Sequence, residues 1–426
     1  VRDDRGRRPS HPEYDERTCS IPAELKLSAS QRQYWEIKSK YRDVVLFFKV
    51  GKFYELYEDD AEIGCRELDW KMTVSGVGHC RQVGCPEAGV DAACARLVQL
   101  GHKVGRIEQL ETAAQAKARG GSGAVIRRAL AEVATPATRT DGDVGDDAVA
   151  APDATHILAF AEEEDEEVPE DDEKGEKDTE VGTKEDAALV RVGSRTVGYS
   201  FLDAAAGSIH LGVLPPDDEH GTALATLLAQ VSPAEVLVRR GRVSDVARRE
   251  LVKCAAKPRV TALTAGEEFP VGAATADRAL GRASGPPTGP PAGPSSTWRW
   301  ASSATVAGAR PVARACAAAV VAHLSRLNCA PIVAGLEAST RPHDVYAHGR
   351  VRVDASTMAN LELVLGAEST PEGSLLRRIS FGCVTDAGRR TLRRWIAAPL
   401  LDVGTIRERQ DAVWATVDRG GVAAEA

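Results

Sequence analysis

The sequence predicts a multidomain α/β protein in three successive parts: a mixed α/β domain, a second strand-rich α/β domain and the start of an all-α domain. The first observation is length, because 426 residues are too many for one ordinary hydrophobic core. The second is the change of pattern along the chain, from short apolar and alternating runs to helical spacing after the Pro/Gly-rich stretch 285–296. We predict a lead at 1–27 and domains at 28–135, 136–335 and 336–426.

The first domain should begin with a helix and a hairpin. Ser30 and Gln33 have the spacing of a capping box for a helix over Gln31–Lys40. Val44–Val50 is an apolar run typical of a buried strand, and a Gly-Lys turn separates it from the alternating run Phe53–Tyr57. A helix from Pro86 that stops at Gly101, followed by the strand Lys103–Gln109, completes the domain.

The second domain shows strands first and then alternating helices and strands. We predict strands at Leu189–Val192, Thr196–Asp203, Ser208–Leu214 and Glu235–Arg239, and helices at Ala223–Gln230 and Val243–Ala255. This order is that of an RNase H-like layer fold. A nuclease of that fold would need several carboxylates for two metal ions, and Asp203 is the main candidate on these strands. Nuclease activity is therefore a minor alternative.

Two inserts are predicted within 136–335. Glu162–Glu180 carries 13 acidic residues and two lysines, so we read 162–186 as a solvated acidic loop. Removing the −11 charge of that block from the chain total of −8 leaves +3, which is compatible with DNA binding. The second insert, 285–296, contains GPPTGPPAGP and should be a stiff spacer.

Helical spacing dominates the rest of the chain. Val312–Leu327 is Ala-rich and apolar at helical positions, and helix patterns continue from Val353 onward. The most basic helix pattern is Arg389–Trp395. Its arginines are Arg389, Arg390, Arg393 and Arg394.

The cysteine pattern is that of a reducing compartment. Nine cysteines are scattered without a CxxC pair. His79, Cys80, Cys85 and Cys94 form a cluster in sequence, but their spacing fits no common zinc pattern, so free thiols are expected and no metal. No apolar run reaches the roughly 18 residues of a membrane helix and the start is charged, which favours a soluble protein with no membrane partner.

The segment from Lys49 to Tyr57, KVGKFYELY, carries the clearest chemistry. Phe53 and Glu55 are two residues apart on a strand end, so they project to the same side and can present an apolar plate and a hydrogen-bonding group to one nucleobase. A Phe inserted between base pairs unstacks them, and a mispaired step resists this least. Glu55 could accept from a ring N–H as an anion or donate when protonated. The alternative is a core Phe and a surface carboxylate.

The motif KVGKFYELYEDDA resembles the Phe-x-Glu mismatch-reading signature of the MutS family of DNA mismatch-repair proteins. The motifs RRPSHPEYDERT, YWEIKSK, GCPE and GHKVGRIEQLET are similar to the eukaryotic MutS homologue six subgroup. Near the end, VDASTMANLEL and the stretch 373–413 resemble the start of the MutS core domain. Matches at three separated places in the right order make this resemblance specific.

The resemblance implies roles for the three parts. They would be the mismatch-binding domain, the connector and the truncated start of the helical core. In that core, Arg389, Arg390, Arg393 and Arg394 match structural helix positions of the family, which implies packing and surface ion pairs rather than contact with DNA. Phe53 would stack on the mispaired base and Glu55 would hydrogen-bond to it, with Lys49, Lys52 and Lys71 as candidate contacts to the DNA backbone. The implied partners are mismatched duplex DNA, a second MutS homologue as heterodimer partner and a MutL-type protein, in the nucleus.

The chain departs from the family's full pattern in one important way. It contains no GxxxxGK[ST] phosphate-binding loop, so we expect no ATPase activity and no cofactor here, with ATP and Mg²⁺ bound by an ATPase domain outside these residues. A start at Val1 and an end at Ala426 suggest a fragment. The alternative function is a truncated, non-catalytic interaction module.

Overall fold

The protein is described from a computed structural model. It describes residues 2–21, 27–74, 80–121, 123–138, 156–164, 195–282, 300–301, 303–338, 349–367, 370–383 and 385–424. The predicted strand Leu189–Val192, the acidic insert after residue 164 and the Pro/Gly-rich insert 285–296 lie outside these residues. The described part is mixed α/β with two six-stranded sheets, followed by helices.

The first sheet has the order β3-β4-β2-β1-β5-β6. Its elements are α1 (Ala29–Lys38), β1 (Val44–Val50), β2 (Phe53–Tyr57), α2 (Asp59–Leu68), β3 (Thr73–Val74), β4 (Arg81–Pro86), α3 (Val90–Gln99), β5 (Lys103–Gln109), α4 (Ala113–Gly120) and β6 (Arg128–Ala134). The predictions of β1, β2 and β5 are confirmed to the residue. Strands β3, β4 and β6 were not predicted.

The predicted start of α1 is wrong by two residues. The capping box is formed by Ser28 and Gln31, not by Ser30 and Gln33: the Ser28 hydroxyl accepts from the Gln31 amide at 3.2 Å and the Gln31 side chain accepts from the Ser28 amide at 2.9 Å. Both pairs have the same spacing in the sequence. The helix therefore begins at the earlier of two equivalent signals.

Each face of the first sheet is covered differently. One face packs on α2 and α3 through a cluster that includes Phe47, Tyr54 and Leu56. The other face carries Phe48 and Tyr57, which pack with Tyr34 of α1. Helix α1 therefore packs on the face that also carries Phe53 and Glu55.

The second sheet has the order β11-β10-β7-β8-β9-β12. Its elements and the helices around it are β7 (His156–Glu164), β8 (Arg195–Asp203), β9 (Ser208–Val213), α5 (Thr222–Val231), β10 (Glu235–Arg239), α6 (Asp245–Lys253), β11 (Arg259–Leu263), α7 (Ala273–Arg282), α8 (Ala304–Ala307), α9 (Pro311–Arg326), α10 (Ala330–Ala334) and β12 (Glu337–Ala338). Strands β7, β8 and β9 are antiparallel neighbours, whereas β10 and β11 run parallel to β7. Helices therefore cover both faces of this sheet.

Two predicted limits in this region are wrong. The acidic insert does not begin at 162, because Glu162 and Glu163 lie in β7. The Glu162 carboxylate accepts from the amide and the hydroxyl of Ser244 at 2.7 and 2.6 Å. Ser244 is the N-cap residue of α6, so these bonds fix Glu162 against the start of that helix. The limit between the second and third domains at 335 also falls too early, since β12 still pairs with β9.

The third part is helical, as predicted. It consists of α11 (Ala355–Asn360), α12 (Leu375–Ile379), α13 (Asp386–Ala397) and α14 (Val403–Ala424). It meets the second sheet's helices at a small interface where the Ala355 amide donates to Thr226 Oγ1 at 3.3 Å. Arg393 is buried there and Arg389 donates to the Cys383 carbonyl, which agrees with the packing role predicted for these arginines.

A buried joint of charged side chains connects the two sheets. Lys103 at the start of β5 is 1% exposed, and its Nζ lies 2.6 Å from Glu235 Oε1 at the start of β10. The same oxygen lies 3.2 Å from His323 Nε2 of α9 and accepts from the Thr261 hydroxyl at 2.8 Å. We call Lys103, Glu235, Thr261 and His323 the buried joint.

The lead is also tied to the second sheet. Arg17, which is 4% exposed, pairs with Asp15 at 2.7 Å and with Glu268 at 2.6 Å. The Arg17 carbonyl accepts from the Arg42 amide, which precedes β1. The segment 2–21 therefore contacts both sheets.

Candidate nucleic-acid interface

Phe53 is an exposed aromatic residue on a hairpin whose other aromatic rings are buried. It opens β2 directly after the turn at Gly51, whose φ of +62° suits glycine. The Phe53 ring is 52% exposed, whereas Phe47, Phe48 and Tyr54 are at most 1% exposed. The alternative interpretation, that Phe53 belongs to the core, is therefore wrong.

Glu55 stands on the same side of the sheet as Phe53. It is half-buried, and its Oε2 accepts a hydrogen bond from the Tyr57 hydroxyl at 2.6 Å. Gly84 of β4 lies opposite Glu55 in register. A Cβ on Gly84 would approach the Tyr54 carbonyl oxygen to 2.7 Å and Glu55 Cγ to 3.3 Å, so the missing side chain keeps the space beside Glu55 open.

Arg128 supplies positive charge near this pair. Its guanidinium stacks over the Phe48 ring at 4.8 Å, and Phe48 lies opposite Glu55 in register. Arg128 Nε also donates to the Lys49 carbonyl at 2.7 Å. Burial lowers the pKa of Arg128, while Tyr57 and Glu55 act in the opposite direction, so the three groups interact electrostatically. We call Phe53, Glu55, Tyr57, Gly84 and Arg128 the open face.

Sequence reasoning missed Arg128 as a member of the site. It lies 73 positions beyond Glu55 on a strand that was not predicted. Tyr57 and Gly84 were within the quoted motifs but had no assigned role. A β6 pairing with β5, rather than any local spacing, brings Arg128 to this face.

The structure separates the three predicted lysines. Lys49 lies opposite Tyr54 in register, on the other face of the sheet from Glu55. It pairs there with Glu87 at 2.7 Å and Glu108 at 3.4 Å, and Glu87 raises the pKa of Lys49 above its usual range. Lys49 therefore lies on the opposite face from Glu55, and its contact with the DNA backbone stays a prediction.

The other two lysines have a different setting. Lys52 is exposed in the turn beside Phe53, and Lys71 is exposed before β3. Both side chains are available at the surface of the first sheet's domain.

The described residues hold no group of three His, Cys, Asp or Glu side chains that could bind a metal ion. His79 lies outside them, and Cys80 and Cys85 are buried free thiols. Burial raises the pKa of Cys80 to about 12, with Glu58 adding to the effect. Asp203, the nuclease candidate, is buried with its Oδ2 3.6 Å from His156 Nε2.

Comparison with known proteins gives two family matches. Residues 28–143 match MutS domain I and residues 356–424 match MutS domain III. The DNA mismatch repair protein MSH7 of Arabidopsis thaliana is 41% identical over 97% of this chain and 34% of its own length. The chain belongs to the MutS family. It is of the eukaryotic MSH6/MSH7 type: MSH7 gives the 41% match, and MSH6 of Saccharomyces cerevisiae and Msh6 of Homo sapiens also match, at 28% and 29% identity over 96% and 97% of this chain.

This MutS-family chain spans about a third of the length of the curated relatives it matches, with 32% of the yeast protein and 31% of the human protein covered. MutS domain I contains the open face, since its match includes Phe53, Glu55 and Arg128. In this chain the Gly51-Lys52 pair forms the turn of the β1–β2 hairpin, which does not fit a nucleotide phosphate-binding loop. Among the described helices, none is both long and apolar enough to cross a membrane.

Proposed function

We propose that this chain recognises mispaired bases and small loops in duplex DNA during post-replicative mismatch repair. The observation that carries the proposal is the exposure of Phe53 on the same face as Glu55. The other two phenylalanines of this hairpin, Phe47 and Phe48, are buried. Relatives with a MutS domain I that are named DNA mismatch repair proteins support the proposal.

The proposed mechanism is wedge insertion. Phe53 enters the stack at the mispair, and the cost of unstacking is about a few kcal/mol per step. A mispaired step is already poorly stacked and kinks readily, so the net cost is lower there than in paired DNA. Selectivity then arises from the deformability of the DNA.

Glu55 adds a directional contact in this mechanism. Its carboxylate accepts a hydrogen bond from a base N–H, or donates one when protonated. Either contact is available to a base that has lost its partner's hydrogen bonds. Glu55 therefore refines the selectivity that the Phe53 wedge establishes.

We assign phosphate contacts to Lys52 and Lys71, which are exposed. Arg128 replaces Lys49 as the cation on the open face, because Lys49 is paired with carboxylates on the opposite face. Such contacts position the protein without reading sequence and weaken with salt.

We infer that the second sheet and its helices form the connector and that 356–424 begins the core. Three antiparallel strands followed by two parallel ones agree with the RNase H-like arrangement predicted for a connector. In the complete protein we propose a nuclear heterodimer with a second MutS homologue that signals to a MutL-type protein. ATP and Mg²⁺ would bind an ATPase domain outside these residues.

The test compares affinities of the 426-residue chain for a G·T-containing duplex and for its fully paired counterpart. Phe53→Ala should abolish the preference for the mispair and leave salt-sensitive general binding largely unchanged. Leu110→Ala is the matched control, since Leu110 is 66% exposed on the same domain but lies outside the open face. Equal loss of both kinds of binding in Phe53→Ala would overturn the proposal.

A further inference from the structure

The hydroxyl of Tyr57 is a fixed donor beside Glu55. The Tyr57 side chain is 5% exposed and packs edge-on against Tyr34 and Phe48, with ring centroids 4.9 and 5.9 Å apart. These contacts immobilise the ring, so its hydroxyl stays 2.6 Å from Glu55 Oε2. Burial and the Glu55 carboxylate raise the pKa of Tyr57 well above its usual range, which keeps the hydroxyl protonated and donating.

This hydrogen bond restricts a side chain that otherwise has three free torsions. A Glu at a strand end loses rotamer freedom when it binds a base, and that loss opposes binding. Tyr57 removes part of this freedom before DNA arrives. Gly84 on the other side leaves room for the carboxylate without holding it.

The bond also distinguishes the two carboxylate oxygens. Among the described residues, the Tyr57 hydroxyl donates to Oε2 of the Glu55 carboxylate, which leaves Oε1 for a ligand. The neighbours that face Glu55 are Tyr57, the cation Arg128, and the uncharged Phe48 and Gly84. Tyr57 therefore supplies a hydrogen-bond donor to Oε2, and Arg128 supplies a positive charge near the carboxylate.

We propose that Tyr57 is a positioning residue for mispair recognition, which holds Glu55 so that Oε1 accepts a hydrogen bond from the displaced base. The proposal rests on the proposed function and deepens it. An oxygen that accepts a hydrogen bond selects a base that presents an N–H, such as the ring N–H of thymine or guanine. Mispairs that contain these bases should therefore gain most from Tyr57.

The test is Tyr57→Phe, measured as the ratio of affinities for a G·T duplex and a paired duplex. The ring and its packing remain, and the hydroxyl alone is removed. We expect this ratio to fall about three- to tenfold, as for loss of one ordinary hydrogen bond, with paired-DNA affinity unchanged.

Tyr54→Phe is the matched control on the same strand. The Tyr54 hydroxyl donates to Glu108 at 2.5 Å on the opposite face, so the chemical change is identical but remote from Glu55. Its removal should leave the ratio unchanged. An equal fall of the ratio in Tyr54→Phe would overturn the inference, because it would indicate a general effect on the hairpin.

A double-mutant cycle separates positioning from fold maintenance. In a Glu55→Ala background, Tyr57→Phe should have no further effect on the ratio, because nothing remains to be positioned. The same loss with or without Glu55 would contradict the inference, as would an unchanged ratio in the single variant. If Phe53→Ala keeps the mispair preference, the proposed function fails instead, which is a distinct result.

Discussion

The open face and the buried joint use similar side chains for opposite purposes. The open face sets Glu55 and Arg128 near solvent beside the exposed ring of Phe53. The buried joint sets Lys103 and Glu235 together where both are at most 3% exposed. In the first region the carboxylate keeps an oxygen for a ligand, whereas in the second Glu235 Oε1 lies close to three partners.

The difference separates binding from stability. A buried charge is tolerated only when it is paired, so loss of one partner in the joint leaves the other uncompensated. An exposed or half-exposed group is already solvated, so its removal changes the free energy of unfolding little. Substitutions in the joint should therefore affect unfolding, and substitutions on the open face should affect DNA discrimination.

The largest expected effect is on Lys103. Lys103→Met should lower the free energy of unfolding by about 3–5 kcal/mol, because Glu235 loses its closest cation while it stays buried. Chemical denaturation of the chain measures this. The double variant Lys103→Met/Glu235→Gln should recover part of the loss. A Lys103→Met midpoint equal to that of the exposed control Lys71→Met would contradict the pairing.

Acidification should destabilise the second sheet and its helices through buried histidines. Burial lowers the pKa of His210 in the second sheet from 6.5 to about 4, and burial also lowers the pKa of His323. The unfolded chain then binds more protons below pH 6.5, so stability falls as pH drops from 6.5 towards 4, by roughly 1–3 kcal/mol for His210. His210→Gln should flatten this part of the profile. An unaltered profile would show that His210 is not the titrating group.

The stability that the ionised Asp203 contributes should be lost at lower pH than the histidine contribution. His156 holds the pKa of Asp203 at about 2 against the opposing effect of burial. Its folded pKa is below the ordinary 3.8, so the stability it contributes is lost only as pH falls below about 3.8 towards 2. Asp203→Asn should alter unfolding midpoints in that window. It should also lower the pKa of His210 further, because the Asp203 carboxylate raises that pKa in the folded chain.

On the open face, Glu55→Ala should weaken mispair preference less than Phe53→Ala does. The carboxylate contributes one hydrogen bond, worth about a three- to tenfold change in affinity, whereas the ring contributes the wedge itself. Competition binding with G·T and paired duplexes measures both variants. Identical preference in Glu55→Ala and the unmodified chain would remove Glu55 from the reading site.

The smallest effect is expected at the Arg5–Glu267 ion pair. Both side chains are more than half exposed, although the 3.0 Å between Arg5 and Glu267 is only slightly longer than the 2.6 Å between Lys103 and Glu235. Arg5→Gln should change the free energy of unfolding by less than about 0.5 kcal/mol. A loss as large as that of Lys103→Met would show that burial does not govern these pairs.

The two regions also differ in how far the sequence predicts them. Phe53 and Glu55 could be placed on one face because strand alternation is local. Lys103 and Glu235 each begin a strand that was predicted correctly, but their contact depends on how two sheets pack, which no spacing reveals.

Missed strands have similar causes. Strand β6, with the sequence RALAEVA, is rich in helix formers and becomes a strand because it pairs with β5. Strand β7 ends in three glutamates that look like the start of the acidic block, yet Glu162 pairs with Val197 of β8. Tertiary pairing overrides local composition at both places.

The most direct measurement of the central claim is photo-crosslinking from position 53. The chain would carry p-benzoylphenylalanine in place of Phe53 and be irradiated with a duplex that contains one G·T mispair. Our account predicts crosslinks at the mispaired nucleotides or the adjacent step, and none there when the same group replaces Leu110. Crosslinks distributed evenly along the duplex, or equal yields on fully paired DNA, would contradict the claim that Phe53 reads the mispair.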